Sequence, residues 1–132
     1  MNLADVGHLL GARAAGIWRV EGAELVSTDF WASPELDPAV AEAFRIATRR
    51  VAISRPDLCI VGAAIDARPK VSIAAELSRA SGSGMWLRRF GAARSIAVPR
   101  IVEGLVVEVA SVAVRESRDD EAIRLLGVVL NP

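Results

Sequence analysis

Leu3, Val6, Leu9 and Leu10 share one face of residues 2 to 12, which predicts a helix with Asn2 as its cap and Gly11 as its end. Ala14 to Val20 then reads as a strand, with Ile17 and Val20 flanking Trp18 and Arg19. Glu21-Gly22 signals a turn, and Glu24 to Trp31 supplies the second strand of a hairpin, ending in Phe30-Trp31. Asp37-Pro38 starts a helix, because an acidic cap followed by proline satisfies the first free amides without needing the missing N–H. That helix is expected to run to about Arg50, with Val40, Phe44 and Ala47 or Thr48 turned inward. Ser54-Arg55-Pro56-Asp57 breaks the pattern, and the apolar run Leu58 to Ile65 reads as a buried strand.

Asp66 to Lys70 is a loop, and Val71 to Leu77 is either a short strand or a turn of helix. Arg79 to Gly84, rich in glycine and serine, reads as the most flexible stretch, placed as a loop over a pocket. A short helix follows over about Met85 to Phe90, then strands at Arg94 to Val102 and Leu105 to Val114 around a Glu103-Gly104 turn. Asp119, Asp120 and Glu121 place three acids at the start of a last helix, where they match its dipole; Ile123, Leu126 and Leu130 give it an apolar stripe. Hairpins at both ends with helices between them predict one α+β domain over residues 1 to 132, an antiparallel sheet with flanking helices.

Composition narrows the function classes. A chain of 132 residues with 52% hydrophobic residues and a mean hydropathy of +0.35 supports one proper core and excludes disorder. Net charge is zero, so no long-range field steers it to nucleic acid or to an anionic membrane. Fifteen of the sixteen basic residues are arginine and Lys70 is the only lysine, the mark of a GC-rich coding bias or of arginines fixed on an anion. One cysteine, Cys59, allows no internal disulfide, which points to the cytoplasm. No apolar run reaches membrane-spanning length, and the N-terminal segment, with Asp5 where a signal peptide wants bases, reads as part of the fold.

The chemistry-bearing residues are few. His8 is the only histidine, and alone it makes neither a metal site nor an acid-base pair. Cys59 has no histidine near it in sequence, which favours a buried small side chain or a pocket-lining thiol over a nucleophile. No dinucleotide fingerprint, phosphate loop or paired-cysteine motif occurs, so no cofactor is expected. Trp86 and Phe90 are four apart on the short helix and share a face, either as core packing or as the roof of a pocket for a flat ligand. Arg94-Ser95 at the start of the next strand could hold a carboxylate or phosphate, and Trp31 could add apolar contact area.

Gly16-Ile-Trp-Arg-Val with Leu25-Val26, and Arg94-Ser-Ile-Ala-Val-Pro with Gly104-Leu-Val-Val-Glu-Val-Ala-Ser-Val, resemble the first and last hairpins of a GAF domain, and the element order fits over nearly the whole chain. The resemblance implies an antiparallel sheet of about five or six strands. It also implies a small-molecule pocket on one face and terminal helices on the other that often build a dimer. GAF domains are typically regulatory inputs to histidine kinases, transcription activators and related signalling proteins. Three departures qualify it. Glu108 stands where the family often has glycine, the cyclic-nucleotide residue set has no counterpart, and Cys59 is followed by Ile60 where a bilin-binding member has histidine. A reductase of this fold would need several cysteines.

Together these readings predict a non-enzymatic cytoplasmic sensor domain with no catalytic and no metal-binding residues. Its unknown small-molecule ligand would lie against Trp31, Cys59, Trp86, Phe90, Arg94 and Ser95. Its partners would be an output domain or regulator and a second copy of itself through the terminal helices, with no nucleic acid and no membrane. The alternative is a structural dimerisation module that binds no ligand.

Overall fold

The structure, a computed structural model, describes residues 1–132. Its elements are α1 (Leu3–Leu10), β1 (Ala14–Glu21), β2 (Glu24–Ala32), α2 (Pro38–Ala47), β3 (Arg50–Ala52), α3 (Cys59–Asp66) and β4 (Lys70–Ile73), followed by a 3-10 turn (Ala74–Glu76), α4 (Gly82–Phe90), β5 (Arg94–Val102), β6 (Leu105–Val114) and α5 (Asp119–Leu130). The six strands form one antiparallel sheet in the order β3-β2-β1-β6-β5-β4. The N-terminal and C-terminal hairpins therefore meet at its centre, where β1 pairs with β6.

Alternation along those central strands divides the molecule into two apolar layers. Ala14, Trp18, Ala97, Val109 and Ala113 face α2, α3 and α4, while Ala15, Ile96, Val98, Ala110, Val112 and Val114 face α1 and α5. The second layer is closed by Leu3, Val6 and Leu10 of α1 and by Leu125, Leu126 and Leu130 of α5. α1 is capped as its sequence predicts: Asn2 accepts from the Asp5 amide while Asp5 accepts from the Asn2 amide, and Gly11 ends it in the left-handed region.

Both terminal hairpins follow the sequence reading, two central expectations are corrected and one open alternative is resolved. Leu58 to Ile65 is a helix and not a strand, because an unbroken apolar run carries no period to separate the two. The Asp37 helix ends at Ala47, and Arg50–Ala52 leaves it to pair with β2 as a short edge strand. Val71 to Leu77 is both of its alternatives in turn, strand to Ile73 and then one 3-10 turn.

The Arg79 to Gly84 stretch is pinned where flexibility was expected. α4 begins at Gly82, whose φ of +63° brings its backbone against the Asp57 carbonyl. The two helix starts then cap one another: Cys59 N–H donates to Ser83 Oγ at 2.8 Å, and Ser83 N–H donates to the Asp57 carbonyl at 2.9 Å. Arg88 closes the segment from the other side, its guanidinium donating to the carbonyls of Ala74, Leu77, Ser78 and Gly84. The glycines serve close approach, not mobility.

Replacing Gly82 by alanine combines a left-handed backbone with a Cβ driven into the Asp57 carbonyl. The expected cost is about 2–4 kcal/mol from strain and overpacking, read as a lower urea midpoint at unchanged slope. A midpoint within experimental error of the parent would show that the α3–α4 junction does not need this approach.

Candidate functional site

Between the sheet and α2, α3 and α4 lies a hollow of about 40 Å³. Its floor is β1, β5 and β6, contributing Gly16, Trp18, Ser95, Ser111 and Ala113; its walls are Leu58, Cys59 and Ile60 of α3 and Ser83, Trp86, Leu87 and Phe90 of α4; Phe44 and Thr48 close it from α2. The volume suffices for water, which needs roughly 10–15 Å³ by the same measure, and falls short of a metabolite.

The rings explain why the space is small. Phe44 packs edge-on against Trp18, Trp86 and Phe90, with centroids 6.4, 5.1 and 5.0 Å apart, and leans on Phe30 at 6.0 Å. Such pairs are each worth about 0.5–1.5 kcal/mol beyond the area they bury. Trp18 lies flat along its own strand because Gly16, two residues back, has no side chain; a Cβ there would come within 2.6 Å of the indole. The indole N–H reaches out of the hollow and donates to the Thr48 carbonyl at 2.8 Å. Arg89 stacks over the outer face of Trp86 at 5.1 Å, leaving Arg88 to hold the 74–84 segment.

The polar content is concentrated. Thr48, Ser83, Ser95 and Ser111 are the four polar residues buried in this fold, and all four line this one hollow. Ser95 Oγ and Ser111 Oγ are 3.2 Å apart across β5 and β6, and Thr48 Oγ1 donates to the Phe44 carbonyl at 2.8 Å. Buried hydroxyls cost stability unless they are bonded, so their convergence marks the site.

Of the residues expected to hold a ligand, Cys59, Trp86, Phe90 and Ser95 line the hollow together. Trp31 and Arg94 do not. Trp31 faces the other layer, lying over Gly7 of α1 with its ring edge-on to His8 at 5.3 Å. Arg94 also faces that layer and forms a two-oxygen ion pair with Asp119 in the first turn of α5, at 3.1 and 2.8 Å. Strand alternation is the reason: only one of two consecutive residues, Arg94 and Ser95, can face the hollow. Glu108 is answered by Arg100, Nε to Oε1 at 2.7 Å, across the β5–β6 pair.

Sequence reasoning missed Trp18, Thr48, Ser83 and Ser111 as site residues, and placed Phe44 inward without assigning it to a pocket. Ser111 carried a legible signal, being the one polar side chain in the otherwise apolar run from Val109 to Val114. Burial pushes the Cys59 thiol above its ordinary value of 9.0, against smaller opposing contributions from Ser72, Ser95 and Lys70. The neutral thiol is thus the favoured form.

No protein-family model matches this sequence, and no curated protein does. Solved structures do resemble it. A fragment of a methyl-accepting chemotaxis protein superposes with a TM-score of 0.66 over 96% of this chain and 78% of its own, at 13% identity. The GAF domain of a phosphoenolpyruvate-protein phosphotransferase from Coxiella burnetii gives 0.66 over 98% and 74%, at 15% identity. The free methionine-R-sulfoxide reductase of Neisseria meningitidis, in complex with its substrate, gives 0.64 over 98% and 69%, at 18% identity. The chain therefore has a GAF-like α+β fold. One expectation is corrected: a non-enzymatic domain was expected, and that is not supported, because free methionine-R-sulfoxide reductases are built on this same architecture. No helix is long and apolar enough to cross a membrane.

The raised Cys59 pKa has a measurable sign. Below about pH 9 the thiol is protonated in both folded and unfolded chains and adds no pH dependence. Above it the unfolded chain ionises first, so stability falls as pH rises. Cys59→Ala is expected to reduce that slope by up to one proton between pH 8.5 and 10, measured by urea unfolding at each pH. An unchanged slope would place the thiol in an environment as wet as the unfolded chain.

Proposed function

We propose that this protein is a sensor domain that binds a small molecule in the hollow between the sheet and α2–α4. One observation carries the reading: the four buried polar residues of the fold, Thr48, Ser83, Ser95 and Ser111, all converge on a single hollow otherwise lined by aromatic and aliphatic side chains. A site with an apolar lining and a few convergent polar groups is how small-molecule pockets are generally built. The fold neighbours support the signalling part of the reading. One is a fragment of a methyl-accepting chemotaxis protein and two are GAF domains of phosphoenolpyruvate-protein phosphotransferases.

The volume demands a conformational step. With only about 40 Å³ free, a ligand enters by displacing a wall, and its affinity is reduced by the fraction of time the wall stands closed. The pinned start of α4 makes the Arg79 to Gly84 stretch a poor lid.

A second reading rests on that same small volume. Rings that already interdigitate leave a scaffold whose core is complete, with its surfaces free for partner contact.

A thermal-shift screen of small metabolites separates the two. A ligand present at about a hundred times its dissociation constant adds about 2.7 kcal/mol, raising Tm by roughly 5–15 °C in a domain of this size. Hits are expected to change the emission of Trp18 and Trp86 and to be lost in Ser111→Met, which fills the hollow. A broad screen with no stabilising compound would leave the scaffold.

A further inference from the structure

We propose that the hollow takes a small uncharged molecule, apolar over most of its surface, that presents acceptor oxygens to the serine hydroxyls and is admitted when Phe44 swings outward on α2. The proposal rests on the sensor reading above and adds the chemical class of the ligand and its way in.

Charge is decided by the lining. No Lys, Arg, His, Asp or Glu lines the hollow, and the guanidiniums around it are committed elsewhere: Arg13 to the Phe90 carbonyl, Arg94 to Asp119, Arg88 to four carbonyls, Arg89 to a face of Trp86. An ionic ligand would leave water with no counter-charge to meet it, a loss that no hydroxyl repays.

Donor and acceptor counting decides the polar end. Trp18 spends its N–H on the Thr48 carbonyl, and Thr48 spends its hydroxyl hydrogen on the Phe44 carbonyl. Ser83 Oγ accepts from the Cys59 amide, and no acceptor within the chain takes its own hydrogen. Ser95 and Ser111 share one hydrogen between two oxygens, which leaves the other free. Two hydroxyl hydrogens are therefore unspent on opposite sides of the hollow, Ser83 on the helix wall and the serine pair on the sheet floor. Carbonyl or ether oxygens complete them.

Entry is decided by what holds each wall. α3 and α4 are tied to each other, and Arg88 binds α4 to the 3-10 turn. α2 has no fully buried residue between Pro38 and Ala47 and reaches the hollow through Phe44; only its end is tied down, where the carbonyl of the buried Thr48 accepts the Trp18 N–H. Between α2 and the end of β2 lies an open cleft of about 350 Å³, bordered by Phe30, Leu36, Ala41 and Arg45, which leaves α2 unpacked beside the Phe44 face.

The test uses three probes of one shape: acetophenone, uncharged with an acceptor; ethylbenzene, uncharged without one; and benzoate, an anion. Each is titrated against the full chain and against Phe44→Ala, with Phe44→Leu as the milder opening. Binding is followed by tryptophan emission and by protection of Cys59, the only cysteine, from iodoacetamide. Acetophenone is expected to bind Phe44→Ala about tenfold tighter than ethylbenzene, the worth of one good hydrogen bond, and tighter still than benzoate. It should bind the unaltered chain more weakly than either opened variant. Adding Ser83→Ala, Ser95→Ala and Ser111→Ala together should erase the preference over ethylbenzene, since Ser111→Ala alone would free the Ser95 hydrogen. Benzoate binding as well as acetophenone, or ethylbenzene matching it, overturns the ligand class while leaving a working site. Equal affinity for the unaltered and opened proteins overturns the gate. No probe changing emission or protecting Cys59 in any variant overturns the proposal and counts against the hollow as a site at all.

Discussion

The exchange of hydrogen bonds between the starts of α3 and α4 is the constraint on which the hollow depends. A helix leaves its first amides without partners, and neither helix has a side-chain cap of its own. Each borrows one from the other: Ser83 serves Cys59, and the Asp57 carbonyl serves Ser83. This is possible only because Gly82 lets the two backbones touch. The contact fixes Cys59 and Ser83 side by side, and the turn of α4 then carries Trp86 and Phe90 to the wall of the hollow. Without it the residues of one wall would have no common position.

The sheet imposes the second constraint. One layer of backbone has an apolar face on each side, so every inward residue belongs to one of two cores and cannot serve both. Gly16 and Trp18, Ser95, Ser111 and Ala113 supply the hollow, while Ile17, Ile96 and Ala110 beside them in sequence belong to the α1–α5 layer. Residues adjacent in the chain thus have separate tasks.

That constraint also sorts what the sequence makes legible. The hairpins at both ends were readable to within a residue or two, because alternation and turn residues agree there. The β5–β6 unit runs from Arg94 to Val114 around Glu103-Gly104, both residues at positive φ. The pairing of Trp86 with Phe90 was readable because four-residue spacing puts them on one helical face. The α3 helix was not, since Cys59 to Ile65 is apolar throughout and carries no period. Trp31 and Arg94 were assigned to the site by their chemistry, and their chemistry is right for a site. They are on the wrong face, and a single step of register decides that. Glycine and serine between 79 and 84 read as mobility, whereas Gly82 and Gly84 serve close contact with Asp57 and Ser78, a distinction that only the neighbouring backbone makes.

The same alternation gives the hollow a short physical connection to the opposite layer. Ser95 forms part of the floor, and Arg94 immediately before it holds Asp119 in the first turn of α5. Because the two side chains leave opposite faces of one strand, a twist of the β5 start that carries Ser95 toward an occupant would carry Arg94 the other way across the sheet. The guanidinium is largely buried, and one of its nitrogens, Nη1, donates to both carboxylate oxygens of Asp119 in a charge-assisted contact. Arg94 Nε has no partner in this arrangement, which makes the pair the least satisfied polar contact of the second layer. A group that is strongly held on one side and unsatisfied on the other is suited to a second position. α5, with three acids in its first turn and Arg118 bracing both Glu121 and the Leu9 carbonyl of α1, is where a movement of Arg94 would be felt.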